Sequence, residues 1–126
     1  MAMALAAKLQ LRPGQSVALV DAPGDFEGGD LADHPDAPEA SADLVLVFVS
    51  DAQELGRRTG TVASAAARGA LTWIAYPKAG KLGTDLNRDR VRVSLAEHGL
   101  DTVRQVALDD VWSALRLKLA IAPRPG

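Results

Sequence analysis

Three short apolar runs have the pattern of buried β-strands. SVALV (16–20) and DLVLVFV (43–49) are almost continuously hydrophobic, and ALTWIAY (70–76) follows the same pattern. The first run is bounded by Pro-Gly before it and by DAPG after it, which are turn sequences. Strands that are apolar on both faces are typical of a parallel sheet that is covered on both sides. The pattern therefore predicts three buried strands in such a sheet.

The polar residues between the second and third runs indicate a helix. SDAQ (50–53) matches a capping box, in which Ser50 is the N-cap and Gln53 reaches back to it. The helix is expected to end at Gly69. Its hydrophobic residues fall on one face, and they are Leu55, Val62 and Ala66.

Two further helices are predicted with weaker signals. A short helix should span Ala4 to Leu11 and end before Pro13-Gly14. Another is expected from an N-cap at Thr84 to about His98, although VRVSL (91–95) also alternates like a strand. A weak strand is predicted at 30–33.

The C-terminal part has the pattern of a β-hairpin. TVRQVAL (102–108) and WSALRLKL (112–119) alternate between apolar and polar residues and are separated by a short acidic turn. We expect residues 119–126 to form a frayed tail. The sequence of elements predicts one α/β domain over residues 1–126, with right-handed crossovers that place helices on both faces of the sheet.

Composition narrows the class of protein. The chain has 126 residues, of which 48% are hydrophobic and 24% charged, as is usual for a soluble globular domain. It contains no cysteine, which excludes disulfides and thiolate chemistry. The first residues lack the pattern of a signal peptide, and no apolar run approaches the length of a membrane span. We therefore expect a cytoplasmic protein with no membrane partner.

The charges are unevenly distributed along the chain. Residues 13–56 contain ten acids and no lysine or arginine, whereas residues 57–126 contain twelve basic residues and six acids. The two halves could pack together and neutralise each other, or the asymmetry could mark a binding surface. The net charge of −2 argues against a nucleic-acid partner, which usually requires a basic domain.

Three segments carry a resemblance to a known family. RPGQSVALVDAPG, ARGALTWIAYPKAGKLGTDLNRD and LAEHGLDTVRQVALDDVWSALRLK together resemble a family of small bacterial proteins of unknown function. That family looks like a shortened S-adenosylmethionine-dependent methyltransferase domain. The resemblance implies a three-layer, Rossmann-like α/β fold, with a mostly parallel sheet and a C-terminal antiparallel hairpin.

The chain departs from that family's cofactor site. The turn after the first strand is Asp21-Ala22-Pro23-Gly24 rather than a glycine-rich loop that lets the backbone approach a cofactor. About twenty residues separate Asp21 from Asp43, fewer than the ~30 of a single crossover unit. We therefore predict no cofactor, no binding of S-adenosylmethionine, and a non-catalytic or vestigial binding module.

The segment YPKAGKLGTD (76–85) resembles a phosphate-binding loop but fails the test for a P-loop. That motif requires a glycine where Ala75 stands and a hydroxyl where Leu82 stands. A weaker anion or nucleotide-phosphate site remains a hypothesis, combining a helix N-terminus with basic side chains, and its residues are Lys78, Lys81, Thr84 and Arg88. The alternative is a solvated basic loop.

A second candidate site is a small polar pocket at the carboxyl edge of the sheet, where ligands of open α/β folds bind. We expect it to collect Asp21, Ser50, Tyr76, Asp109, Asp110 and Trp112. It would serve a small enzyme or a cofactor binder. The alternative is that these are hairpin-turn residues beside one packed tryptophan.

Two predictions concern metals and assembly. His34 and His98 have no ligand spacing around them, so no metal site is expected. A shortened sheet should leave an exposed edge near residues 16–20, which predicts a homodimer. The acid-rich segment 25–43 would then either cover that edge or meet a basic surface of the partner.

Overall fold

The chain forms a small α/β domain around one mixed sheet. In a computed structural model of the protein, residues 4–120 are described. The elements, in chain order, are α1 (Leu5–Lys8), β1 (Val17–Val20), a first 3₁₀ helix (Gly29–Asp33), β2 (Leu44–Phe48), α2 (Ala52–Ala67), β3 (Leu71–Pro77), a second 3₁₀ helix (Lys81–Gly83), α3 (Arg88–Ala96), β4 (Leu100–Ala107) and β5 (Trp112–Leu119).

The five strands are arranged in the order β1-β2-β3-β5-β4. Strands β1, β2 and β3 run parallel, with Val17 opposite Leu44 and Leu46 opposite Trp73. Strand β5 then inserts between β3 and β4 and is antiparallel to both. The predicted mostly parallel Rossmann-like sheet is therefore wrong, because half of the pairings between strands are antiparallel.

The two faces of the sheet are covered differently. Helices α2 and α3 share one face, where Leu55 and Val62 of α2 pack in the same cluster as Leu95 of α3. Within residues 4–120, the opposite face carries only α1, the first 3₁₀ helix and loops, which pack through Leu9 and Leu31. The predicted three-layer, Rossmann-like fold is wrong, because the second face has a four-residue helix and a 3₁₀ helix in place of a full helical layer. A full helical layer is missing on this face because the connection from β1 to β2 is short and contains only a five-residue 3₁₀ helix.

Strand β2 lies at the centre of the core. All five of its residues are buried, and alternate residues point to opposite faces. Leu44, Leu46 and Phe48 contribute to the cluster under α1, whereas Val45 and Val47 contribute to the cluster under α2. This explains the continuous apolar run in the sequence.

The N-terminus of α2 is capped one residue later than predicted. The N-cap is Asp51, whose Oδ1 accepts from the Glu54 amide at 2.8 Å. Glu54 in turn accepts from the amide of Ser50, the residue before the N-cap, at 3.0 Å, so Asp51 and Glu54 cap this terminus instead of the predicted pair Ser50 and Gln53. Asp85 adds a third carboxylate by accepting from the Ala52 amide at 2.9 Å.

Removing this cap should cost measurable stability. We expect Asp51→Ala to lower the free energy of unfolding by about 1 kcal/mol, because the Glu54 amide loses its acceptor. Ser50→Ala removes the residue that the sequence suggested and should cost less. Urea unfolding followed by circular dichroism compares the two variants. A larger loss for Ser50→Ala would contradict the cap assignment.

Helix α3 also begins later than predicted. Its N-cap is Asn87, which accepts from the Arg90 amide at 2.9 Å, whereas Thr84 lies in extended backbone after the second 3₁₀ helix. The strand alternative for 91–95 is wrong, since Val91 and Leu95 are buried one helical turn apart. Residues 30–33, predicted as a weak strand, belong to the first 3₁₀ helix.

The edge of the sheet at β1 is covered over part of its length. The Val17 amide donates to the Pro35 carbonyl at 2.9 Å, and the Ala37 amide donates to the Val17 carbonyl at 3.1 Å. The backbone of Leu19, the next residue whose N–H and C=O face outward, makes no such hydrogen bond with the described residues, and Leu19 is 40% exposed. A cleft of about 540 Å³ follows this stretch between 17–21 and 36–39. The predicted open edge is thus reduced to a short stretch.

The predicted frayed tail lies almost wholly outside the described residues. Of residues 119–126, Leu119 ends β5 and the Ala120 amide donates to the Gly99 carbonyl at 2.8 Å.

Candidate functional site

The six residues predicted to form a pocket at the carboxyl edge of the sheet do not come together. Tyr76 and Trp112 are both buried, but Tyr76 packs under the helices and Trp112 packs on the opposite face against Phe48, with ring centroids 5.2 Å apart. Their different faces follow from the register, in which Trp112 lies opposite Pro77 and Ser113 lies opposite Tyr76. The two aromatic residues therefore cannot line one pocket.

Asp109 and Asp110 belong to the turn of the hairpin. Asp109 Oδ1 accepts from the Val111 amide at 2.8 Å and from the Trp112 amide at 2.7 Å, which fixes the turn between β4 and β5. Asp110 is exposed in the same turn. Asp109 is therefore a hairpin-turn residue, as the alternative to the pocket prediction stated.

A small cleft does exist at the carboxyl edge, around the end of β1. It has a volume of about 250 Å³ and is lined by Asp21, Glu54, Arg57 and Arg58. Arg58 contacts Asp21 Oδ2 through Nη2 at 2.6 Å and through Nε at 2.8 Å. Asp21 is in the left-handed region with φ of 60°, a conformation that aspartate tolerates better than most residues. Of the six predicted residues, only Asp21 lines this cleft.

The other three residues of the cleft were not predicted from the sequence. Glu54, Arg57 and Arg58 occupy the first turns of α2, where their spacing places them near the carboxyl end of β1. The pair Arg57-Arg58, the first basic residues after a long acidic stretch, was the signal that could have identified them.

The predicted anion-binding loop lacks the helix terminus on which it depended. Thr84 Oγ1 donates to the Ser50 carbonyl at 2.7 Å and accepts from the Leu86 amide at 3.0 Å, so this hydroxyl is already engaged. The amides that begin α3 are capped by Asn87 instead. Lys81 and Arg88 are exposed, and Lys78 is half-buried with its amide bonded to the Val111 carbonyl at 2.7 Å. The prediction of free helix amides at Thr84 is therefore wrong.

Tyr76 has an unusual environment for a phenol. Its hydroxyl lies 3.4 Å from Gln105 Nε2, which donates to it, and the residue is 2% exposed. Burial raises the pKa of Tyr76 above its usual value; Arg88 opposes this effect and Asp89 adds to it. The arrangement keeps the phenol protonated, as a buried neutral group.

The raised pKa of Tyr76 predicts a loss of stability at high pH. Above pH 10, the unfolded chain ionises its tyrosine while the folded chain does not, so the free energy of unfolding should fall as pH rises from there toward the folded pKa. We expect Tyr76→Phe to show a shallower fall over the same range. Urea midpoints measured in steps of pH test this. Parallel curves for the two proteins would contradict it.

Among residues 4–120, one salt bridge joins the acidic and basic halves of the chain, between Asp21 and Arg58. The other charges of the two halves form no salt bridge with each other in this range. Several other acids serve as backbone acceptors, such as Asp30 for the Ala6 amide at 2.9 Å and Asp43 for the Ser16 amide at 2.8 Å. The first interpretation of the charge asymmetry, mutual neutralisation of the two halves, therefore has little support in the contacts.

Most of the other acids in the acidic half of the chain lie in one stretch, which we call the acidic segment. We use this name for residues 25–39, which run over the face of the sheet that carries α1 and then along the edge at β1. Five carboxylates of the segment are exposed and make no hydrogen bond or ion pair within the described chain; they are Asp25, Glu27, Asp33, Asp36 and Glu39.

Neither a metal centre nor a membrane span is found in the described part of the chain. Among residues 4–120, no three His, Asp or Glu side chains are grouped to hold a metal ion. No helix in this range is long and apolar enough to cross a bilayer.

Comparisons of the sequence with protein-family models and with curated proteins gave no match. The resemblance to a family of small bacterial proteins therefore stays a prediction.

Proposed function

We propose that this protein is a non-catalytic interaction module that binds a protein partner through its charged surfaces. The observation that carries the proposal is the separation of charge: the acidic segment has five exposed carboxylates, and the described chain supplies none of them with a cationic partner. Surface charges that are not paired within a protein act on its partners, by steering association and by selecting complementary surfaces.

The acidic segment is held in place well enough to act as a binding surface. Phe26 packs edge to face against Phe48 with centroids 4.8 Å apart, and Leu31 is buried beside α1. The segment then pairs with β1 through Val17. Anchors at three points keep its carboxylates in a defined arrangement, which reduces the entropy lost on binding. The partner that this surface fits is a protein with exposed lysine and arginine side chains.

The proposal is tested with poly-L-lysine, a simple cationic polymer, by isothermal titration at low salt. We expect wild type to bind, and the triple variant Glu27→Gln, Asp33→Asn, Asp36→Asn to bind much more weakly. The matched control is Glu97→Gln, Asp89→Asn, Asp110→Asn, which removes the same charge from exposed positions elsewhere. Equal weakening in the two variants would mean that only net charge matters, and would reject the segment as the binding surface.

A second candidate function is favoured by the cleft at the end of β1. A small ligand with an anionic group would contact Arg57, which is exposed beside the Asp21–Arg58 pair. Backbone in the left-handed region, as at Asp21, is often found at ligand sites. Such a ligand would make the chain a small-molecule binder or a small enzyme.

The ligand candidate is tested by thermal shift with phosphate, nucleotides and S-adenosylmethionine. A ligand present at about 100 times its dissociation constant stabilises a protein by about 2.7 kcal/mol. We expect no shift with S-adenosylmethionine. Any shift with phosphate or nucleotides should disappear in Arg57→Ala if the cleft binds the ligand, and in a Lys78→Ala, Lys81→Ala variant if the loop binds it.

A further inference from the structure

The opposite half of the sheet presents a basic surface. On the face that carries α1, strands β4 and β5 expose Arg104 and Lys118, and Arg116 lies half-buried between β3 and β4. We call Arg104, Arg116 and Lys118 the basic surface. Arg104 lies directly opposite Arg116 across the two strands, a placement that is unfavourable for like charges unless an anion lies nearby.

The charged groups of the basic surface have few hydrogen-bond or ion-pair partners within the described chain. Arg116 Nη1 donates to Gln10 Oε1, but Arg116 Nε is buried and has no hydrogen-bond partner among residues 4–120. Asp101 lies opposite Lys118 in the register, yet no ion pair forms there. Three cationic groups are thus held together, and none of them forms an ion pair with a carboxylate among residues 4–120.

The first part of the acidic segment and the basic surface lie on the same face of one sheet. Phe26 and Leu31 of the segment pack in the cluster under α1, whereas Ala37 packs in the cluster on the opposite face. The basic surface lies at the side of the sheet formed by β5 and β4.

The chain at α1 lies over the middle of the shared face, where the Leu9 carbonyl accepts from Trp73 of β3 and Gln10 accepts from Arg116 of β5. Beyond it, Arg104 and Lys118 are exposed. The face therefore has an acidic side and a basic side, with α1 between them.

We propose that two copies of this chain form a dimer through this face, with the acidic segment of each copy seated on the basic surface of the other. A twofold axis parallel to the strands turns the face onto itself and exchanges its two sides. The charges of the facing sides then become complementary, and the same contact forms twice, as a closed isologous dimer requires. The inference rests on the proposed function, because it names a second copy as the cationic partner of the segment.

The test uses two variants with reversed charges. The basic-surface variant is Arg104→Glu, Lys118→Glu, and the acidic-segment variant is Glu27→Lys, Asp33→Lys; all four positions are exposed, so the fold should tolerate the changes. In a homodimer of either variant, both contacts bring like charges together. In a dimer of one variant with the other, both contacts bring opposite charges together.

Sedimentation equilibrium on the full chain gives the readout. We expect wild type to dimerise at low salt and to dissociate as salt rises, since the screening length falls from about 10 Å at 0.1 M to about 3 Å at 1 M. Each variant alone should have a dimer dissociation constant raised at least about tenfold, and an equimolar mixture should recover the dimer. Circular dichroism and thermal unfolding confirm that each variant is folded.

Two results would overturn the inference. If wild type remains monomeric at high concentration and low salt, the second copy is not the partner; binding of poly-L-lysine that depends on the segment would then leave the proposed function standing. If wild type dimerises but both variants dimerise equally well, the dimer uses another surface, such as the open stretch of β1 at Leu19. Failure in both assays would reject the proposed function as well.

Discussion

Replacing Trp73 by alanine is expected to lower the free energy of unfolding by about 3–5 kcal/mol, a large share of the stability of a domain of this size. Trp73 lies in the middle of β3, is completely buried, and contacts the layer formed by α1. Its Nε1 donates to the Leu9 carbonyl at 3.1 Å. The variant therefore loses a large apolar contact and leaves a buried carbonyl without its donor.

A second substitution separates these two effects. Trp73→Phe keeps most of the apolar contact but removes the donor, and should cost about 1–3 kcal/mol, the usual range for a buried acceptor left unsatisfied. Urea unfolding followed by far-UV circular dichroism measures both variants. Leu82→Ala is the control, because Leu82 is 66% exposed, and it should change stability by less than about 0.5 kcal/mol. A loss below 1 kcal/mol for Trp73→Ala would place Trp73 outside the core.

The second large effect is expected at Leu31. Replacement by alanine should destabilise the protein by about 2–5 kcal/mol, since Leu31 is 4% exposed and joins the acidic segment to the cluster under α1. The 3₁₀ helix that holds it has only five residues and little stability of its own. Loss of this anchor should therefore loosen the segment first.

Hydrogen exchange distinguishes a local effect from a global one. In Leu31→Ala we expect faster exchange at the Ala6 and Ala37 amides, which bond to Asp30 and Val17, before the amides of β2 are affected. Val93→Ala, at an exposed site of α3, is the control and should leave exchange unchanged. Uniform acceleration across the sheet would show that the segment has no independent stability. If the segment is the binding surface, Leu31→Ala should also weaken dimerisation.

The core residues replaced in these variants support the proposed interface through a chain of contacts. Trp73 holds α1 against the sheet through Leu9, and α1 in turn contacts the segment through Ala6 and Asp30. The exposed carboxylates can act as a surface only while this layer is in place. Stability and association should therefore fall together in core variants but separately in the charge-reversal variants.

The sequence by itself determined the positions of the strands, because a strand that is buried on both faces requires a run of consecutive apolar residues. The predicted strands 16–20, 43–49, 70–76 and 112–119 agree with the observed ones to within a residue. The hairpin turn at Asp109 was also readable, since it depends on neighbouring residues alone. The first residues of the helices could not be predicted from the sequence alone. Both Ser50 and Asp51 are good caps with a suitable residue three positions later, and the path of the chain chose Asp51.

Only the tertiary structure decided how the strands pair and which side chains share a face. Pairing of β5 with β3 joins residues far apart in sequence, and no local pattern specifies it. That register put Tyr76 and Trp112 on opposite faces and so dispersed the predicted pocket. It also placed Arg104 opposite Arg116, on the same face as the first part of the acidic segment. The asymmetry of charge was visible in the sequence. Whether the charges neutralise each other depends on the distances between acidic and basic side chains, and only the folded structure determines those distances.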